Sequence, residues 1–572
     1  MKKIFASIVA ALMLCVSLAA CSTSGLQVGS VINIAETDDL NSFNADNMTS
    51  EASLAVNAEV ANLINPSFYY TDATGKLIAN EEFGSVTVVS KSPLKVAYQL
   101  TGKAKWSDGQ AVTADDLLLS WLAARNPADS GFDSIRKGSG LKWTTSTPVV
   151  SGDKKTLTIT YDRAVADWQS ALTITAAAHV VAERAFALSD VSAALIRFEQ
   201  AIETASVADQ TLISEQYGKA YLAREASTLP LVTAGAYKVE SFSPGSELTL
   251  KANTSFNWGQ SPTIETVKIK FYSDATAMLA AMQQGDVDIA APAESGIATN
   301  GDLISLAKAA SAKYEFAASN DIEAVLLNFA STSAFASDKS DVVKAAAIKD
   351  AFLKLIPRAK ILTALSADNP VLEAKSWIYA NSSNYYAPFV QSNGSAAFDI
   401  QNAELAGELL KSANVSTPVD IRVLFDSNNP RAKKEFALLG EYAASAGFNL
   451  LDASVKDPRT VFTTGEFDAF ITTVPLAGEV SGDPYWFTGS SVTGFADPAL
   501  DKLLVDYSSK SEALDQIAVL KQVDAELYAA KFGLPLYQVP ALLVYSKRIK
   551  SIVNAPNGGS ATYGYWNWAL NG

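Results

Sequence analysis

The chain has 572 residues with one histidine, two cysteines and a formal net charge of −15 at pH 7. This acidic balance argues against a nucleic-acid partner, which would require a basic face, and against adsorption to anionic lipid. A chain of this length can bury a sizeable core, and we expect it to fold as more than one domain.

The first twenty residues are typical of a signal for export. Lys2 and Lys3 precede an apolar run over residues 4–18, and Leu-Ala-Ala leads into Cys21. The run is shorter than the roughly 20 apolar residues of a spanning helix. LAAC resembles the bacterial lipobox, which implies that Cys21 carries a diacylglyceryl anchor; the alternative is an ordinary signal peptide with a chance cysteine. Residues 22–30 are small and polar and predict a tether.

Side chains that commonly perform catalysis or bind metals are scarce. Cys15 would leave with the signal and Cys21 would carry the lipid, so no thiol remains for a nucleophile or a metal. His179 lies in a largely apolar stretch and predicts a partly buried structural histidine. GxSxG, HExxH and GxxxxGK motifs are absent, and the SxxK from Ser134 to Lys137 lacks companion motifs. We predict no enzyme, metal site or cofactor, although paired carboxylates as in glycosidases stay open.

Strand and helix patterns alternate along the rest of the chain. Strands are predicted at 31–36, 86–90, 94–100, 248–253, 267–272, 325–331, 419–425, 467–474 and 534–546. Helices are predicted at 53–64, 275–285, 341–356, 403–414, 499–509 and 513–530, and residues 181–229 are mostly helical. Such alternation is typical of α/β organisation.

The stretch WSDGQAVTADDLLLSW, residues 106–121, places three aspartates close together. Asp108 belongs to a Ser-Asp-Gly turn. Thr113 is a good N-cap residue, and Asp116 stands at the third helical position, as in a capping box. With Asp115 it lies at the positive end of the helix dipole. We therefore assign all three carboxylates structural roles.

The same stretch closely resembles the signature of the family 5 solute-binding proteins of ABC importers, the oligopeptide- and dipeptide-binding lipoproteins. Further segments follow in the family's order: GAYKVESFSPGSELTLKAN, NWGQSPTIETVKIKFY, MLAAMQQGDVDIA, FDAFITTV with GDPYWF, and LPLYQ. The resemblance covers nearly all of residues 31–572.

This resemblance implies a two-lobed α/β fold of the periplasmic-binding-protein type (type II), with an extra domain beside the first lobe. The implied limits are a signal at 1–20, a lipidated tether at 21–30, a first lobe at 31–59, 179–325 and 536–572, an extra domain at 60–178, and a second lobe at 326–535. It also implies an extracytoplasmic monomer, attached to the membrane only through its lipid. That monomer would deliver peptides, in particular oligopeptides, to importer permease subunits whose partner ATPases hydrolyse ATP.

Carrying over the family's ligand contacts gives a candidate site. The candidates are Asn47, Met48 and Thr49 in the first lobe, Thr472, Thr473 and Val474 on a second-lobe strand, and Glu479, Asp483, Tyr485, Trp486 and Phe487 in the following loop.

The loop departs from the pattern of well-matched peptide binders. Leu476 or Val480 stands where those proteins carry an aspartate for the ligand ammonium, and Glu479 or Asp483 is the candidate substitute. FDAFITTV also lacks the arginine often found in this strand. Two alternatives therefore stay open, a non-peptide solute such as an oligosaccharide and a peptide-sensing receptor lipoprotein. The shortage of histidine argues against a metal chelate held by imidazole.

Overall fold

The computed structural model describes residues 25–47, 54–72, 76–127, 130–136, 139–144, 146–165, 167–226, 231–292, 300–336, 341–365, 372–381, 383–462, 464–477, 493–556 and 560–571. The predicted signal, tether start and lipidation at Cys21 lie outside these residues. In the described part of the chain, no helix is both long and apolar enough to cross a membrane.

Strands and helices alternate through these residues. The strands are β1 (Gln27–Glu36), β2 (Tyr69–Thr71), β3 (Leu77–Ala79), β4 (Gly84–Lys91), β5 (Leu94–Leu100), β6 (Val149–Val150), β7 (Thr156–Thr160), β8 (Tyr237–Ser243), β9 (Glu247–Ala252), β10 (Ile264–Phe271), β11 (Ile289–Ala290), β12 (Lys313–Leu327), β13 (Leu372–Glu373), β14 (Val419–Leu424), β15 (Phe448–Asp452), β16 (Ala469–Pro475), β17 (Gly533–Tyr545), β18 (Ile549–Ser551) and β19 (Ala569–Leu570). The helices are α1 (Leu54–Ile64), α2 (Ala114–Arg125), α3 (Ala178–Phe186), α4 (Val191–Glu203), α5 (Val207–Lys219), α6 (Ala223–Ala226), α7 (Ala275–Gln284), α8 (Asn300–Ala309), α9 (Val342–Leu355), α10 (Arg358–Leu365), α11 (Tyr386–Val390), α12 (Ala403–Ser412), α13 (Pro430–Ala443), α14 (Pro498–Ser508) and α15 (Ala513–Ala529).

One long sheet runs through the protein in the order β15-β14-β16-β12-β17-β11-β1-β10-β9-β8, and β13 also pairs with β17. Parallel pairs join β1 to β10 and β11 at one end of this sheet, and β14 to β15 and β16 at the other. We call the part around β1 and β8–β11 the first lobe and the part around β13–β16 the second lobe.

Strands β12 and β17 carry the chain between the two lobes. They pair antiparallel from Lys313 opposite Tyr545 to Leu326 opposite Gly533, and their register is interrupted between Ala318 and Ile322. A side chain at Gly533 would place its Cβ only 2.3 Å from the carbonyl oxygen of Val325. Glycine therefore permits the close approach of these two strands in the second lobe.

A separate four-stranded sheet, β4-β5-β7-β6, packs with α2 beside the first lobe, and we call this unit the side domain. Its core is continuous with that of the first lobe and includes Leu117 of α2 and Ile34 of β1. The second lobe has its own core, including Ile421 of β14 and Leu527 of α15. The first lobe and the second lobe thus have separate cores and are linked by two strands, which gives the two-lobed α/β fold that was predicted. The exact domain limits remain predictions.

Most predicted elements are confirmed, with two informative differences. The tether was expected to extend through residue 30, but β1 begins at Gln27, so residues 27–30 belong to that strand. A strand was expected at residues 325–331, but β12 begins at Lys313 and ends at Leu327. Its first half carries polar residues such as Lys313 and Glu315 and lacks the pattern of a buried strand. Pairing with β17, more than 200 residues away along the chain, extends the strand through this polar segment.

Candidate functional site

The carboxyl ends of three parallel strands of the second lobe meet at one cavity. Asp426 follows β14, Lys456 follows β15, and residues 472–475 end β16; all of them line a cavity of about 660 Å³. Phe462 and Phe470 supply an aromatic wall, with ring centroids 5.5 Å apart. Open α/β sheets commonly bind ligands outside the carboxyl ends of their strands. The cavity is therefore a candidate ligand site by topology.

The end of β16 has one strand edge without a pairing strand among the described residues. β12 pairs with β16 along its whole length, from Ala469 to Pro475. On the other edge, β14 pairs only with Ala469 and Phe470. Residues 471–475 therefore have backbone N–H and C=O groups on the edge of β16 that extends past the end of β14. Four of these five residues line the cavity. An edge of this kind can accept an extended peptide as an additional strand.

Thr472, Thr473 and Val474, predicted as ligand contacts, therefore lie together at this cavity. Thr472 is half-buried, Thr473 is exposed, and Val474 retains only 7% of its accessible surface. Their contact with a ligand remains a prediction.

An arginine that the strand itself lacks is supplied by α13. Nη2 of Arg431 donates to Oε2 of Glu323 at 2.8 Å and to the hydroxyl of Thr473 at 3.2 Å. Asn429 caps this helix and Pro430 follows at its first turn, so the side chain of Arg431 is projected from a fixed helix start. The strand motif alone could not identify this residue, because Arg431 lies on a helix that precedes the strand in the chain.

A second cavity, of about 220 Å³, lies between the first lobe and the side domain. Asp46 and Arg136 line it, and Nε of Arg136 donates to Oδ1 of Asp46 at 2.7 Å. The other oxygen of Asp46 accepts the hydroxyl of Tyr217 at 2.6 Å. Burial by itself would lower the pKa of Arg136, but the facing Asp46 and Tyr217 raise it above its usual value. Burial, followed by the charge of Asp46, also raises the pKa of Tyr217.

Asn47 adjoins this cavity in sequence but has a partner of its own. Its side-chain amide donates to the carbonyl oxygen of Gly218 at 2.9 Å, and only 7% of the residue is exposed. The adjacent candidates Met48 and Thr49 lie outside the described residues. So do five candidates of the second-lobe loop: Glu479, Asp483, Tyr485, Trp486 and Phe487.

The three aspartates of the 106–121 stretch have the structural roles predicted for them. Thr113 and Asp116 form a capping box at the start of α2. Oδ2 of Asp108 lies 2.8 Å from Nε2 of His179, which is 4% exposed. Burial, with a smaller effect of Glu199, raises the pKa of Asp115 to about 6. These contacts give all three carboxylates structural partners in the turn and the helix start, and they require no reaction chemistry.

Comparisons with known proteins agree with this architecture. A family model of the bacterial extracellular solute-binding proteins, family 5 (middle), matches residues 80–497. A protein of Mycobacterium leprae (strain TN) described as an uncharacterized lipoprotein is 25% identical over 585 residues, covering 98% of this chain and 97% of the relative.

Two solved structures share the fold along their lengths. The periplasmic EDTA-binding protein EppA has a TM-score of 0.77 at 21% identity, and the match covers 95% of this chain and 97% of that chain. The oligopeptide-binding protein AppA from Bacillus subtilis, in complex with a nonapeptide, has a TM-score of 0.65 at 15% identity, with coverages of 96% and 100%.

The family match extends from the side domain through most of the second lobe, and the similar folds cover nearly the whole chain. The two-lobed α/β fold and the predicted family are thereby confirmed. The chain belongs to family 5 of the bacterial extracellular solute-binding proteins, the binding components of ABC importers.

Proposed function

We propose that this protein captures peptides, specifically oligopeptides, and delivers them to the permease of an ABC importer. The observation that carries the proposal is the edge of residues 471–475, which extends beyond the end of β14 and borders a cavity. A peptide added at this edge would gain main-chain hydrogen bonds that do not depend on its side chains. The cavity volume of about 660 Å³ leaves room for varied side chains and water.

Ligand contacts are proposed at Thr472, Thr473 and Val474, with Asn47, Met48 and Thr49 contributing from the first lobe. In the loop that follows the strand, Glu479 or Asp483 would accept the ligand ammonium, and Tyr485, Trp486 and Phe487 would provide an aromatic wall. The nonapeptide bound by AppA supports a peptide ligand on this fold.

Native mass spectrometry tests the ligand class on a variant that begins at Gln27, purified from a peptide-containing culture. We expect adducts that fragment into a ladder of amino-acid masses. Thr472→Trp should remove them, because its indole would occupy the part of the cavity that borders the strand edge of residues 471–475. Thr464→Trp introduces the same bulk at an exposed position outside the cavity lining. Adducts unchanged by Thr472→Trp would contradict the location of the site.

A second candidate is a non-peptide solute at the same site, an alternative supported by the EDTA named for EppA. A single adduct without amino-acid mass differences would favour it over the peptide proposal. Deletion of the gene distinguishes a role in import from a role in sensing. Loss of peptide uptake in the deletion strain would support import, and unchanged uptake would support a receptor.

We further propose that the mature protein is anchored through a lipidated Cys21 on the outer face of the cell membrane. The lipoprotein description of the M. leprae relative supports this location. Two acyl chains hold a protein stably where one chain gives only marginal binding. Cys21→Ala should release the protein from the membrane fraction, and a membrane-bound variant with an unlipidated mass would contradict the anchor.

A further inference from the structure

Two acidic side chains of β12 lie beside the end of β16. Asp321 is directly opposite Pro475, and Glu323 is directly opposite Thr473. Pro475 and Thr473 both line the cavity of about 660 Å³. Directly opposite residues of antiparallel strands have their side chains on the same face of the sheet, with Cβ atoms about 5 Å apart. Because Asp321 and Glu323 are two residues apart, both carboxylates belong to that face.

Among the described residues, only one of these two carboxylates has a positively charged partner. Oε2 of Glu323 accepts a hydrogen bond from Nη2 of Arg431 at 2.8 Å. The backbone of Asp321 is held by the hydroxyl of Ser319, which accepts from its N–H at 3.1 Å and donates to its carbonyl oxygen at 3.3 Å. The carboxylate of Asp321 has neither an ion pair nor a hydrogen bond with any described residue. Asp321 is exposed, yet burial raises its pKa, as expected for a carboxylate in a concave part of the surface.

We infer that Asp321 pairs with the charged end of a lysine or arginine side chain of the captured peptide. The inference rests on the proposed peptide-binding function and narrows its substrate class to basic peptides. An accessible carboxylate without a partner accepts hydrogen bonds from an ammonium or a guanidinium group. The formal net charge of −15 also favours the approach of a cationic solute.

The spacing of the strands favours a basic side chain over the terminal ammonium of the peptide. A peptide added at the edge of residues 471–475 lies two strand spacings from β12, which is about 10 Å. The terminal ammonium belongs to the main chain, so it would stay about this far from the backbone of Asp321. An extended lysine side chain reaches roughly 6 Å from its Cα, and the aspartate side chain adds roughly 2.5 Å. With a hydrogen bond of about 2.8 Å between them, the two side chains span the distance.

Pro475 occupies the surface between the added peptide and Asp321. It is exposed, and it lies on the same face as Asp321. Lysine and arginine side chains commonly lay their methylene groups along apolar surface while the charged end stays accessible. The proline ring therefore provides the apolar surface that a basic side chain would cross to reach the carboxylate.

Alanine pentapeptides that carry lysine or norleucine at one position in turn test the inference by calorimetric titration at low salt. The two peptides of a pair have the same termini and differ in the charge of one side chain. At one position or more, the wild type should bind the lysine peptide about fivefold more tightly, as expected for one accessible ion pair. Asp321→Asn should make the two affinities equal. Asp501→Asn makes the same change at an exposed position of α14 and should retain the preference.

Equal binding of both peptides of every pair by the wild type would overturn the inference and leave the peptide proposal intact. A lysine preference that persists in Asp321→Asn, or that Asp501→Asn loses equally, would also overturn it. Asp321→Lys is a second test that does not depend on the folding of the asparagine variant. It should prefer glutamate at the same position, and a continued preference for lysine would contradict the pairing. Absence of binding by every peptide would contradict the proposed peptide function, and the inference would fail with it.

Discussion

Nη2 of Arg431 and the hydroxyl of Thr473 both donate a hydrogen bond to Oε2 of Glu323, and each donor–acceptor distance is 2.8 Å. This carboxylate, with 1% of its side chain exposed, joins helix α13 to the two neighbouring strands β12 and β16. The exposed face of Thr473 is thereby fixed beside the candidate ligand cavity. Arg431 therefore positions Thr473 through its ion pair with Glu323.

Replacing Arg431 with methionine should lower the free energy of unfolding by about 3 kcal/mol, because it leaves the charge of Glu323 buried without its partner. Urea denaturation monitored by circular dichroism measures the change. Arg459→Met is the matched control, since its ion pair with Asp457 is exposed and should contribute less than about 1 kcal/mol. Equal losses in the two variants would contradict the importance assigned to the buried pair.

The capping box of α2 predicts an effect on stability without an effect on binding. Thr113→Ala should cost about 1 kcal/mol of unfolding free energy, since the hydroxyl accepts from the backbone N–H of Asp115. Asp116→Ala should cost more, because the carboxylate also accepts from Trp106 and from the backbone of Ala178. Denaturation and ligand titration are measured on the same samples, and a loss of affinity in a stably folded variant would argue for a direct ligand role.

Glu59 should make stability depend on pH. Burial raises its pKa from the ordinary 4.5 to about 7, despite hydrogen bonds from Ser560 and Thr562 that lower it. The pKa of the neighbouring Glu36 is raised well above its usual value, mainly by burial and further by the charges of Glu59 and Asp38. The folded chain thus keeps a proton at Glu59 that the unfolded chain releases, so the free energy of unfolding falls as the pH rises from 4.5 to 7.

Glu59→Gln should flatten this fall by up to about 3 kcal/mol, measured by urea denaturation at a series of pH values. The exposed Glu240→Gln is the control and should leave the slope unchanged. Burial is the main cause that raises the pKa of Asp115 and that of Asp524 to about 6. Both groups therefore also lower the free energy of unfolding as the pH rises, and they do so equally in the wild type and the variants. Identical slopes in the wild type and Glu59→Gln would exclude the proposed titration.

The side domain contacts the second lobe outside the two connecting strands. Nζ of Lys91 lies 2.6 Å from Oε1 of Glu512, and Nε1 of Trp168 donates to the carbonyl oxygen of Ser511 at 3.2 Å. These contacts stabilise the arrangement in which the second lobe and the side domain touch. An exposed ion pair contributes little, so we expect a change of roughly twofold to fivefold in ligand affinity.

Lys91→Glu and Glu512→Lys should each weaken binding, and the double variant should restore it by reforming the pair with reversed charges. Calorimetric titration with the peptide found by mass spectrometry measures the cycle at low salt. The differences should disappear near 1 M salt, where charges are screened over about 3 Å. Additive losses in the double variant would show that the two residues act independently.

Much of the fold could be predicted because its signals are local. The capping box uses residues three positions apart, α7 ends at Gly285 with φ +84°, and the hairpin of β4 and β5 alternates apolar and polar residues. Each signal acts within one turn or one strand, where spacing alone fixes which side chains are neighbours. The strand that contains Thr472, Thr473 and Val474 is likewise predicted from a short motif, through its resemblance to the family.

The sequence by itself therefore determined the alternation of helices and strands, the family and the caps. Only the tertiary structure decided that Arg431 meets Glu323, 108 residues away, and that Arg136 meets Asp46, 90 residues away. It also decided that β12 continues through its polar first half. These contacts depend on strand register and on the packing of one lobe or domain against another. No local spacing encodes them, because the partners become neighbours only when the whole sheet has formed.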